Sequence, residues 1–94
     1  MNDLPQIQND IQALYKHNKW KTNSTLLIVA MTEELGELAA RWLAEHPGYE
    51  KSLKNTDTIE DCVGDLGQLL LQFCNNQKLN FEECVKASLE DRKK

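Results

Sequence analysis

The segment Ile59 to Asn76 constrains the fold more than any other part of this chain. Read at helical spacing, Ile59, Cys62, Val63, Leu66, Leu69, Leu70, Leu71, Phe73 and Cys74 cover more than half of a helix circumference. One small partner helix cannot cover that much apolar surface. The segment therefore belongs at the centre of a helical domain or at a subunit interface. An acid, Asp65, interrupts it at the rim of the apolar face, beside Leu66. Aspartate is a poor former of helix interiors, so an aspartate placed there wants a partner.

A helix needs little else from this chain. Only four glycines and two prolines occur in 94 residues, and alternating apolar patterns are nearly absent. Asp3 as N-cap with Pro5 in the first turn opens a first helix carrying Leu4, Ile7, Ile11, Leu14 and Tyr15, ending between His17 and Lys19. Asn23 or Ser24 caps a second helix that runs to about His46, before Pro47-Gly48. Asp57 or Thr58 starts the third, which reaches about Asn76. Asn80 with Glu83 resembles a capping box and opens a fourth, from Phe81 to about Asp91. Residues 49–56 form a polar loop, and the basic tail from Arg92 frays. With no repeat, linker or low-complexity tract, residues 1–94 form one all-α domain.

The acids form two groups. Glu33, Glu34 and Glu37 share one sector of the second helix; Asp61 and Asp65 share one of the third. On the second helix, Leu27, Ile28, Met31, Leu35, Leu38, Ala39 and Trp42 are expected to fill one arc. Glu33, Glu34, Glu37 and Arg41 are expected on much of the opposite side. Single acids on amphipathic helices ordinarily face water. Two groups on paired antiparallel helices bring five or six carboxylates together, and these do not all stay ionised without a cation between them. Oxygen ligands of this kind suit Mg²⁺, which keeps several waters and binds phosphates alongside one or two carboxylates. Gly36, Gly64 and Gly67 are costly inside helices and point to close helix approach or room for a ligand. His17 and His46 lack the Glu-x-x-His spacing of a di-iron bundle.

Composition narrows the partners. A net charge of −4 argues against a nucleic-acid polymer as ligand. No apolar run is long enough to span a bilayer, and the N-terminus lacks the pattern of a signal peptide. Cys62, Cys74 and Cys84 show no CxxC pairing and read as free thiols in a reducing compartment, hence a cytoplasmic protein. A chain this short buries a modest core, so oligomerisation is expected.

The segment Thr32-Glu33-Glu34-Leu35-Gly36-Glu37-Leu38-Ala39 resembles the E-E-x-x-E motif of MazG-like all-α nucleoside triphosphate pyrophosphohydrolases. Ile59-Glu60-Asp61-Cys62-Val63-Gly64-Asp65 resembles that family's second motif, E-x-x-D, followed by an apolar run that Leu66 to Phe73 supplies. The resemblance covers roughly Leu26 to Arg92. It implies a four-helix MazG-like bundle completed by oligomerisation, as a homodimer or homotetramer. It also implies Mg²⁺-dependent cleavage of (d)NTP at the α–β phosphate bond, giving (d)NMP and pyrophosphate. By matching position, Glu33, Glu34, Glu37 and Asp65 take metal-site roles, with Glu33 or Glu34 acting on the attacking water.

Cys62 stands three before Asp65, where the motif has Glu. Asp61, four before, reaches the same side and is the candidate replacement. The departure leaves a second reading, a non-catalytic helical oligomerisation or regulatory module that keeps the family fold. For substrate binding, Trp20 offers a face on which a base can stack. Lys21 and Arg92, with Lys19, Arg41 and Lys86, are candidate phosphate-binding cations.

Overall fold

A computed structural model describes residues 3–20, 23–46, 48 and 57–93. These contain four helices, α1 (Leu4–His17), α2 (Ser24–Ala44), α3 (Ile59–Asn76) and α4 (Phe81–Arg92), and no strand. The loop expected over 49–56, together with Pro47, lies outside the described residues.

Side-chain caps set the helix starts. Asp3 accepts from the Gln6 N–H at 2.9 Å. Asn23 accepts from Thr25 and Leu26 N–H at 2.8 and 3.2 Å, and Asn80 from Glu83 N–H at 2.9 Å. Thr58, not Asp57, caps α3, in a reciprocal box with Asp61. Each of these bonds satisfies a backbone donor that the first turn leaves open. α2 stops at Ala44, two residues short of the expected end. There the His46 ring donates from Nδ1 to the Trp42 carbonyl at 2.7 Å.

α1 and α3 end alike. Lys19 and Lys78 take left-handed backbone, with φ of 54° and 57°. Trp20 N–H then returns to Tyr15 O at 3.0 Å, and Leu79 N–H to Cys74 O at 2.8 Å. With Lys19→Lys16 and Lys78→Asn75 at 3.2 Å, these are Schellman ends built without glycine. The first one folds Trp20 back against Tyr15, edge to face at 5.2 Å.

α2 and α3 form the largest contact and run antiparallel: Ser24 Oγ, at the start of α2, accepts from Gln77 Nε2 at 2.9 Å, just past the end of α3. α1 lies across the C-terminal half of α3 and also touches α4. Ile11, Tyr15, Leu27 and Leu71 form the buried core, with Leu69, Phe73 and Phe81 packed on it. A polar clasp locks α1 in place. Gln8, buried, donates to Asn75 Oδ1 and Leu79 O at 3.0 and 2.8 Å, and accepts from Phe81 N–H at 3.0 Å.

The faces of α2 differ from the expected ones. Leu27, Met31, Glu34, Leu38 and Arg41 are among the residues withdrawn from solvent, at helical spacings of four, three, four and three. Ile28, Leu35 and Trp42 stay at least half exposed. The physical reason is that α2 carries more apolar surface than α3, the helix it chiefly packs on, can cover. The acidic side therefore shares the α3 contact, and one apolar stripe is left out. α3 repeats this on a smaller scale, with Val63 exposed. The glycines do not mark close approach within the chain: a Cβ on Gly36, Gly64 or Gly67 meets nothing within 4 Å. The radius of gyration, 15.6 Å, exceeds the roughly 12 Å of a closed domain this long. The chain is an open helical arrangement.

Candidate active site

α2 and α3 meet in a cavity of about 190 Å³ lined by Tyr15, Glu34, Asp65, Gln68 and Leu69. One carboxylate from each acidic group thus faces the same space. Glu34 is partly buried, and its Oε2 has no hydrogen-bond partner among the described residues. Burial pushes the Glu34 carboxyl above its ordinary range. The negative charges of Glu37, Asp65 and Asp57 push it further. Glu37 is itself partly buried, one turn along α2.

Cys62 is 1% exposed, in the middle of these charges. Burial raises its thiol pKa first, then Asp57, Glu34 and Glu37; Arg41 opposes them. A thiol raised in this way stays protonated at neutral pH and is no ligand for a hard cation. Arg41, expected on the outer side of α2, instead brings a positive charge into the acidic cluster.

The candidate residues therefore divide. Glu34, Glu37 and Asp65 come together. Glu33, next to Glu34 in sequence, is exposed, about 100° around the helix. Asp61 is exposed and accepts from Thr58 N–H at 3.2 Å, as the reciprocal half of the α3 cap. Among the described residues no three His, Cys, Asp or Glu side chains are arranged to hold a metal ion. The charges are close, but the chain by itself does not preassemble a ligand set. The chemistry of the donors still fits a hard cation, because a buried carboxylate oxygen without a partner is what such an ion satisfies.

Trp20 lines a second cavity, which Tyr15 also borders. Arg92 sits exposed in the last turn of α4. Lys86 is spent on Glu82 and Glu83 of its own helix, at 4.0 and 3.9 Å. Lys21 lies outside the described residues.

Sequence reasoning missed Asp57, Tyr15 and Gln68 as parts of this site. Asp57 had a competing role as a cap, which Thr58 takes. Tyr15 looks like a core aromatic and is one, with an edge on the cavity. Gln68 was legible as a polar residue three after Asp65 in an apolar helix. No helix among the described residues is long and apolar enough to cross a membrane. In comparisons with known proteins, no family model, no curated protein and no solved structure matches this chain.

Proposed function

We propose that this protein is a Mg²⁺-dependent nucleoside triphosphate pyrophosphohydrolase of the MazG-like kind, releasing (d)NMP and pyrophosphate. The observation that carries the reading is Glu34 and Asp65, one from each motif, facing one cavity with a Glu34 oxygen buried and unpartnered. Glu34, Glu37 and Asp65 would hold the metal, which when bound neutralises phosphate charge. Glu34, at the cavity, orients or deprotonates the attacking water. Glu33, at the outer edge, is the alternative base. Arg41 offers a fixed positive charge beside the cluster.

The exposed Ile28–Leu35–Trp42 stripe and the open shape support a homodimer or homotetramer, in which a second copy adds groups to the metal site. The free cysteines suit a cytoplasmic setting. The test is product analysis after incubation with mixed (d)NTPs and Mg²⁺. Nucleoside monophosphate with pyrophosphate is expected; orthophosphate alone, or no turnover, overturns the proposal.

One observation favours a second reading. The second motif's Glu position holds a buried thiol, and its substitute Asp61 is occupied as a cap. A helical oligomerisation or regulatory module would tolerate both. Melting with Mg²⁺ and a non-hydrolysable triphosphate separates the two, because a ligand that binds the fold raises the melting temperature with concentration. No shift at millimolar ligand selects the module.

A further inference from the structure

α3 and α4 are joined by Gln77, Lys78, Leu79 and Asn80, and Leu79 belongs to both helix ends. At the end of α3, Leu79 N–H donates to Cys74 O at 2.8 Å and Lys78 N–H to Asn75 O at 3.2 Å. Such an end folds the side chain at the Leu79 position back onto the one at the Cys74 position. Leu79 also directly precedes Asn80, the N-cap of α4. A residue there packs against the fourth residue of the helix, and that residue is Cys84. Cys84 N–H closes the turn onto Asn80 O at 3.1 Å. Two thiols from different helices thus flank one leucine.

The two thiols differ. Cys74 is 5% exposed, whereas Cys84 lies open to solvent on α4. Burial pushes the Cys74 thiol up, and the charge of Cys84 pushes it further, so the two sulfurs sense each other. The third cysteine, Cys62, is buried twelve residues back along α3, roughly 18 Å along the axis. A disulfide needs Cα atoms about 4.4–6.8 Å apart. α4 has no buried residue of its own, so its first turn shifts toward α3 at little cost in packing.

We propose that Cys84 and Cys74 are a redox pair: hydrogen peroxide oxidises Cys84, and Cys74 resolves it to a disulfide that pins the start of α4 to the end of α3. The Cys84 thiolate attacks one peroxide oxygen. The S–O bond forms, the O–O bond breaks, and the hydroxide released takes up the thiol proton as water, leaving a sulfenic acid. The Cys74 sulfur then attacks the Cys84 sulfur. The S–S bond forms, the S–O bond breaks, and a second water leaves with the Cys74 proton. Two thiols lose two electrons, and one peroxide gains them. A small dithiol reverses the reaction by exchange. In a reducing compartment such a disulfide is transient and serves as a sensor. The segment it closes contains Leu79 O and Phe81 N–H, through which Gln8 holds α1, so oxidation ties α1, α3 and α4 together.

In the test, the full chain is treated with hydrogen peroxide, alkylated with iodoacetamide in denaturant, and mapped by mass spectrometry. The expected product is a single chain lighter by about 2 Da, with a peptide joining Cys74 to Cys84 and Cys62 alone alkylated. Dithiothreitol should restore alkylation of all three thiols. Amide exchange in α4 should slow at least tenfold on oxidation. Cys74→Ser should stop at a Cys84 sulfenic acid, heavier by about 16 Da and trapped by dimedone. Cys84→Ser, at an exposed position, should form no disulfide. If Cys74→Ser fails to fold, the wild-type map and Cys84→Ser still decide. No oxidation, oxidation of Cys84 with Cys74 still alkylated, a disulfide between two copies, or unchanged exchange in α4 overturns the proposal.

Discussion

The Glu34 carboxyl is squeezed between partial burial and three negative neighbours, and its pKa rises for both reasons. Folding therefore favours its protonated form. That contribution is fully present below the ordinary glutamate range and is lost as pH rises through the raised value. In chelator, Glu34→Gln should melt higher than the wild type at pH 7, and the difference should vanish at about pH 4. Melting curves across pH check this; a variant less stable at pH 7 without metal contradicts it. Gln8 makes a different kind of contribution. Gln8→Leu leaves the Phe81 N–H and two acceptors without their partner, at roughly 2–4 kcal/mol, read by denaturant unfolding. At this scale the sequence marked five acids as candidates but not which of them are lost to other duties. Asp61 became a cap because Thr58 stands three residues before it, a local bond that outcompetes a distant site. Cys62 was visible as a departure, yet its full burial depends on how α2 and α3 pack.

The elements were legible because periodicity and caps agree. Asp3, Asn23, Thr58 and Asn80 each cap the helix they precede. What the sequence did not yield is which stripe of α2 meets α3, since two overlapping arcs compete and only tertiary packing chooses between them. The left-handed lysines ending α1 and α3 were equally hidden, because lysine carries no signal for that conformation. Lys78→Gly keeps the Schellman bonds and removes the Cβ penalty, so it should stabilise by about 1 kcal/mol. A loss of stability in urea unfolding would contradict that account. Gly67→Ala, with no neighbour to strike, should gain a similar amount, about 1 kcal/mol, by the same measurement.

The molecule as a whole is too open for its length and leaves Ile28, Leu35 and Trp42 uncovered on one helix. A second copy laid on that stripe buries apolar surface that the single chain cannot. Wild-type protein should sediment as a dimer or tetramer and Leu35→Glu as a monomer; a monomeric wild type contradicts the assembly. The all-α class was readable from composition and period alone. The excess of apolar surface on α2 was readable too, but not what covers it, since no single chain records that. The central claim, that α2 and α3 carboxylates share a divalent cation, is tested most directly by Mg²⁺ titration of thermal stability. The wild type should gain about 2.7 kcal/mol at a hundredfold excess over its dissociation constant. Glu34→Gln and Asp65→Asn should gain almost nothing. An equal gain in all three proteins, or none in the wild type, contradicts the account.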